Sequence, residues 1–158
     1  MEYRLAILGR EPEAVGIARA AARVNLPLGI CFTLDSSTSR LKSGPTLREA
    51  IEDTDREAGE ARPDFYGINC SHPFEFQPAL EPGNWVERIR MLRPNASAMD
   101  KISLCKIGHL EEGDPQELGR LMGELGRRYP HIDIWGGCCG TWEKHLGQIA
   151  QQLRRARA

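Results

Sequence analysis

Cys70 and the adjacent pair Cys138-Cys139 are the residues of this sequence whose type and placement best suit chemistry. A thiolate is a nucleophile and a soft metal ligand, and zinc is the metal that thiolate sulfur suits best in a reduced protein. A structural zinc site normally closes with a fourth Cys or His, whereas three protein ligands leave one position for water or substrate. Three cysteines therefore point to a catalytic arrangement. Gly136, Gly137 and Gly140 flank the pair, and they tolerate the tight backbone path that two ligands from adjacent residues need. A substrate thiol at the open position would lose its proton near neutral pH, because coordination stabilises the attacking thiolate. The plainer alternative is a strand-to-helix turn built of small residues.

Other candidates are weaker. His72, close behind Cys70, suits a fourth ligand or a proton carrier, but spacing alone favours a polar loop residue. Cys105 and His109 have the spacing of half a metal site; without a second pair they read as ordinary loop. Cys31 lies inside an apolar run and reads as a small buried hydrophobe, and Trp85 and Trp135 read as core. Asn69 and Asn95 fall at strand ends, where they either bind a ligand, fix the metal ligands from behind, or satisfy loop backbone. A redox role for Cys138-Cys139 lacks the two-residue spacing of the usual dithiol motif.

These side chains need a scaffold, and the pattern supplies alternating strands and helices. Leu5 to Leu8 reads as a strand, Gly9 as a turn, and Pro12 as the first turn of a helix with Ala14, Ile17, Ala18, Ala21 and Ala22 inward. Leu28 to Thr33 is a near-continuous apolar run, as in a strand buried on both faces. A polar loop from Asp35 to Pro45 leads to Thr46 and Glu49, a capping box, with Leu47, Ala50, Ile51 and Thr54 on the inner face. Asp64 to Asn69 is the third strand; Trp85, Val86, Ile89 and Leu92 predict a short helix before Pro94, and Arg93 to Ser97 a weak fourth strand. Ala98 to Gly113 reads as a long loop or lid, followed by a helix capped from Asp114 with Leu118, Leu121, Met122 and Leu125 inside. Ile132 to Trp135 is the last strand, and Thr141 is the expected N-cap of a helix burying Leu146, Ile149, Ala150 and Leu153. Cys70 and Cys138-Cys139 thus follow strands, on the face where parallel α/β proteins bind ligands. About five βα units are too few to close an eight-stranded barrel, which takes about 250 residues.

Composition narrows the partners. The chain has 158 residues, a net charge of −1 and 27% charged residues of both signs, so it reads as one domain with no basic stripe for nucleic acid and no membrane-surface patch. No stretch approaches the roughly 18 to 20 apolar residues of a spanning helix, and no signal-peptide run follows the N-terminus, which makes the cytoplasm the expected compartment. Five cysteines form a poor disulfide framework and read as reduced thiols.

The motifs Gly67-Ile68-Asn69-Cys70 and Gly136-Gly137-Cys138-Cys139-Gly140-Thr141 resemble the two zinc motifs of the homocysteine S-methyltransferase family. Glu13-Ala14, Phe32-Thr33, Ser43-Gly44 before the Thr46 helix, and Arg93-Pro94-Asn95-Ala96-Ser97 are similar to the family in order, and the likeness covers nearly the whole chain. The resemblance implies a (β/α)₈ barrel fold of which this chain matches the later strands, a partial TIM barrel and a single truncated domain over residues 1–158. It implies Zn²⁺ on Cys70, Cys138 and Cys139 and methyl transfer to the zinc-bound homocysteine thiolate to give methionine; Asn69, from its place at a strand end, is the candidate substrate-binding residue. Across the family the methyl donor varies among S-methylmethionine, S-adenosylmethionine, betaine and folate-linked systems. The chain departs from the family in having Ala6 where a Glu is usual and no Asp-Gly-Gly type segment. Activity is therefore expected only from an assembled barrel, through a homo-oligomer or an N-terminal half partner; the alternative is a catalytically incomplete zinc-binding fragment.

Overall fold

The computed structural model describes residues 4–8 and 11–157. The expected Gly9 turn lies outside them. Five parallel strands form one sheet: β1 (Arg4–Leu8), β2 (Leu28–Phe32), β3 (Phe65–Asn69), β4 (Ile89–Arg93) and β5 (Ile134–Trp135). Their order is β1-β2-β3-β4-β5, so every strand lies beside its neighbour in sequence and the order nowhere reverses. Sequential order is that of a barrel wall, whereas a doubly wound sheet turns back on itself. The sheet is an α/β arc of the partial TIM-barrel kind.

Helices α1 (Glu11–Arg23) and α2 (Leu47–Ala58) pack on each other, as do α5 (Pro115–Arg128) and α6 (Glu143–Ala156). Two short helices, α3 (Pro73–Phe76) and α4 (Lys101–Lys106), follow β3 and β4 on the loops. β2 and β3 are buried along their whole length, as their apolar runs require, and Ile30, Phe32, Tyr66, Ile68, Ile89 and Leu92 join Leu47, Ile51, Leu118 and Met122 in one core. β1 has no neighbour on its outer side among the described residues, and its residues stay partly exposed.

Local signals held where they rested on a specific interaction. Thr46 and Glu49 form the full capping box, and the Asp114 carboxylate accepts from Gln116 N–H at 2.8 Å to start α5. Ala14, Ala18 and Ala21 are buried as expected, while Ile17 is half-buried and Ala22 exposed.

Five expectations need correction. Asn84–Arg88 is a 3₁₀ turn, and Ile89 and Leu92 belong to β4, not to a helix; the proline at position 94 disfavours helical backbone in Arg93 and keeps the chain extended up to it. The fourth strand ends at Arg93, so Pro94, Asn95, Ala96 and Ser97 are a buried, irregular run. The stretch read as a loop contains α4, started by the Asp100 carboxylate accepting from Ser103 N–H at 3.0 Å; with Ile102 exposed it has no apolar period to betray it. Trp142, rather than Thr141, is the N-cap of α6, because the Thr141 hydroxyl is donated to Cys138 O at 2.7 Å. In α6 Ile149 and Leu153 are buried, whereas Leu146 and Ala150 are exposed and His145 takes the inner place.

Candidate metal centre

The chain leaves β3 through Cys70, whose φ of 56° lies in the left-handed region. A side chain there costs on the order of 1–3 kcal/mol and persists only where neighbours hold it. The holding groups are evident. Cys70 N–H donates to Arg93 O at 3.1 Å, continuing the ladder to β4, and Asn95 Nδ2 donates to Cys70 O at 3.3 Å.

The second motif is fastened to the same segment. Gly136 N–H donates to Leu92 O at 3.0 Å, Cys138 N–H to Pro94 O at 2.8 Å, and Ala96 N–H to Cys139 O at 3.0 Å. Leu92 to Ala96 thus lies between the two cysteine segments and bonds to both. The turn closes through Gly140, where φ is +75° and an added Cβ would stand 2.1 Å from Glu111 O. Both the dihedral and the approach exclude a side chain.

The outcome is a convergence of sulfur. Cys70 Sγ lies 2.9 Å from Cys138 Sγ and 3.5 Å from Cys139 Sγ, and Cys138 and Cys139 are 3.9 Å apart. They are the group of potential ligands that converges among the described residues, and all are free cysteines. Tetrahedral zinc with Zn–S bonds of about 2.3 Å holds its sulfurs about 3.8 Å apart. The donor set fits such an ion after Cys70 and Cys138 separate by less than about an ångström, within reach of thiol rotamers. Burial, with the neighbouring Cys138 and Cys139 thiols, pushes the Cys70 thiol above its usual range. A cation supplies the charge that reverses that preference.

Beside the sulfurs opens a cavity of about 510 Å³, lined by Cys70 and Cys139 and by Asn69, Asn95, Ser97 and Thr33. Its other wall includes Cys105 from α4 and His109 and Glu111 from the strap that follows. Asn69 and Asn95 are buried, and the Oδ1 atom of each has no hydrogen-bond partner. Buried polar atoms are nearly always paired, and these two, in residues that line one cavity, are exceptions.

Other sequence candidates fall elsewhere. His72 is buried as the N-cap of α3, where its Nδ1 accepts from Phe74 N–H at 3.3 Å and burial lowers its pKa; it is not among the converging ligands. Cys31 is fully buried against Met91, and burial pushes its thiol up to about 12, as an inert core residue requires. Trp85 is buried and Trp135 packs on the core. Cys105 and His109, read as ordinary loop, belong to the cavity wall; their four-residue spacing was the available signal.

Sequential parallel strands with a cluster of thiols at their C-terminal ends define a barrel-type α/β protein with a candidate thiolate metal centre. The homocysteine S-methyltransferase family model matches residues 9–153, and the chain belongs to that family. Membership supports methyl transfer to homocysteine at the level of the family.

Proposed function

We propose that this chain holds zinc on Cys70, Cys138 and Cys139 and serves the transfer of a methyl group to homocysteine, yielding methionine. The observation that carries the reading is the meeting of those sulfurs at the edge of a cavity in a member of this family. Zinc, when bound there, would supply the positive charge that lets a thiol lose its proton near neutral pH. The protein's own part is to position. Asn69 Oδ1 and Asn95 Oδ1 are acceptors without partners, suited to the ammonium group of an amino acid, and Ile7 and Leu104 make part of the cavity wall apolar. Reduced cysteines favour a cytoplasmic setting; no helix among the described residues is long and apolar enough to cross a membrane.

The domain reading is one barrel arc completed by another body, a second copy or an N-terminal half partner. Ile7 on β1 lines the cavity yet is 49% exposed, so the wall is open on that side. The same observation favours the second reading, a zinc-binding arc with no catalysis of its own. One assay separates them: purified protein with zinc, homocysteine and a panel of methyl donors, with methionine as the readout. Weak turnover that rises when an N-terminal fragment of a relative is added supports the first reading. Bound zinc with no methionine from any donor, fragment included, leaves the second.

A further inference from the structure

We propose that His109 Nε2 takes the proton that a substrate thiol gives up in the cavity beside Cys70 and Cys139, with the Glu111 carboxylate steadying the charged ring. The inference rests on the methyl-transfer reading above.

His109 Nδ1 lies 3.1 Å from Ile107 O. A carbonyl only accepts, so Nδ1 carries the hydrogen and Nε2 of the neutral ring presents its lone pair. Nε2 in turn stands 3.5 Å from Glu111 Oε2. A lone pair and a carboxylate gain nothing from each other, but once Nε2 holds a proton the same contact becomes an ion pair. The arrangement thus suits a ring that alternates between the neutral and charged forms.

Position supports the role. The ring lines the same cavity as Cys70 and Cys139, with Cys105 and Glu111 as the other titratable groups on its side. The strap is fixed to the turn that carries the cysteine pair: Glu111 O abuts Gly140, His145 Nε2 donates to Glu112 O at 2.7 Å, and Lys144 pairs with Glu112. His109 therefore keeps its place relative to Cys139, and a side chain 67% exposed can release the proton to water once the thiolate has been methylated. The step balances. The S–H bond breaks, the proton goes to Nε2, and the electron pair stays on sulfur to attack the methyl carbon, whose leaving group departs with its own pair.

The test counts protons and does not require turnover. Zinc-loaded protein is titrated with homocysteine by calorimetry at pH 7.5 in Pipes and in Tris, whose different ionisation enthalpies reveal how many protons reach the buffer. Wild type is expected to release far less than one proton per thiol bound, because the ring keeps it, and His109→Gln about one. Zinc content and circular dichroism verify that the variant is loaded and folded. Equal release from both proteins overturns the role of His109 alone. No homocysteine binding by the zinc-loaded wild type overturns the methyl-transfer reading, and this inference with it.

Discussion

Cys70 Sγ and Cys138 Sγ lie 2.9 Å apart although 68 residues separate them, and the segment Leu92 to Ala96 bonds to the backbone on both sides. The sulfurs are thus held together by the backbone of the sheet and the loops that leave it. Cys70→Ser or Cys138→Ser is expected to lower zinc content by more than half, because each removes one of the three proposed ligands. Cys31→Ser, remote from the cluster, serves as the comparison and should bind zinc as the wild type does. Elemental analysis after dialysis reads the outcome, and full zinc in both ligand variants would place the site elsewhere.

The cysteine cluster was legible in the sequence because its chemistry is local: Cys70 and Cys138-Cys139 each follow an apolar run and have glycines close by. The strand-helix alternation was legible for the same reason, with Thr46-Glu49 and Asp114 acting through neighbours three residues away or fewer. What stayed hidden depends on distant contacts. Ile89 and Leu92 have helical spacing, and pairing with β3 and β5, with Pro94 behind them, makes them a strand. His109 and Cys105 sit in a stretch with no period, and their place on the cavity comes from the docking of Glu111 and Glu112 against α6.

That docking can be tested at Gly140. An alanine there meets both a φ of +75° and the Glu111 carbonyl, so Gly140→Ala is expected to cost on the order of 1–3 kcal/mol and to loosen zinc retention. Gly147, in the middle of α6 with open space around it, gives the contrast: Gly147→Ala should gain about 0.5–1 kcal/mol through helix propensity. Urea unfolding of the two variants measures the difference in sign. Equal midpoints would mean that the strap does not press on the cysteine turn.

Asp55 is a structural counterpart, away from the site. Its carboxylate accepts from Arg88 Nε at 2.8 Å, Arg88 Nη2 at 3.1 Å and the Tyr66 hydroxyl at 2.9 Å, with Arg88 also donating to Pro63 O and Asp64 O. Arg88 is only 26% exposed, so losing its counter-ion leaves a largely desolvated charge. Asp55→Ala should destabilise the fold by about 2–3 kcal/mol, less than the cost of breaking a fully buried pair. The check is chemical denaturation at neutral pH; a change within a few tenths would show that water replaces the carboxylate freely.

Asp35 predicts an acid-sensitive loop. Hydrogen bonds from the Ser37 hydroxyl and backbone, then from Thr38, hold its carboxyl down at about 2, from an ordinary value of 3.8. Because the folded value is depressed, the loop gains from the charged carboxylate above the ordinary value and loses that gain as pH falls from about 4 through about 2. Carboxyl chemical shifts followed by NMR should show Asp35 titrating near the bottom of that window, with the Ser37 and Thr38 amides moving together. A midpoint near 3.8 would show that the hydrogen bonds are not maintained in solution.

Asn69 tests the substrate side of the proposal separately from the metal. It is buried at the end of β3, lines the cavity, and its Oδ1 has no partner, whereas Asn95 also braces Cys70 through its Nδ2. Truncating Asn95 therefore mixes two effects, and truncating Asn69 removes an acceptor that no protein donor uses. Asn69→Ala is expected to keep its zinc and to weaken homocysteine binding about tenfold, the scale of one hydrogen bond to a charged group. Calorimetric titration of the zinc-loaded variant gives both stoichiometry and affinity. Unchanged affinity would remove Asn69 from the binding site, and lost zinc would recast its amide as support for Cys70.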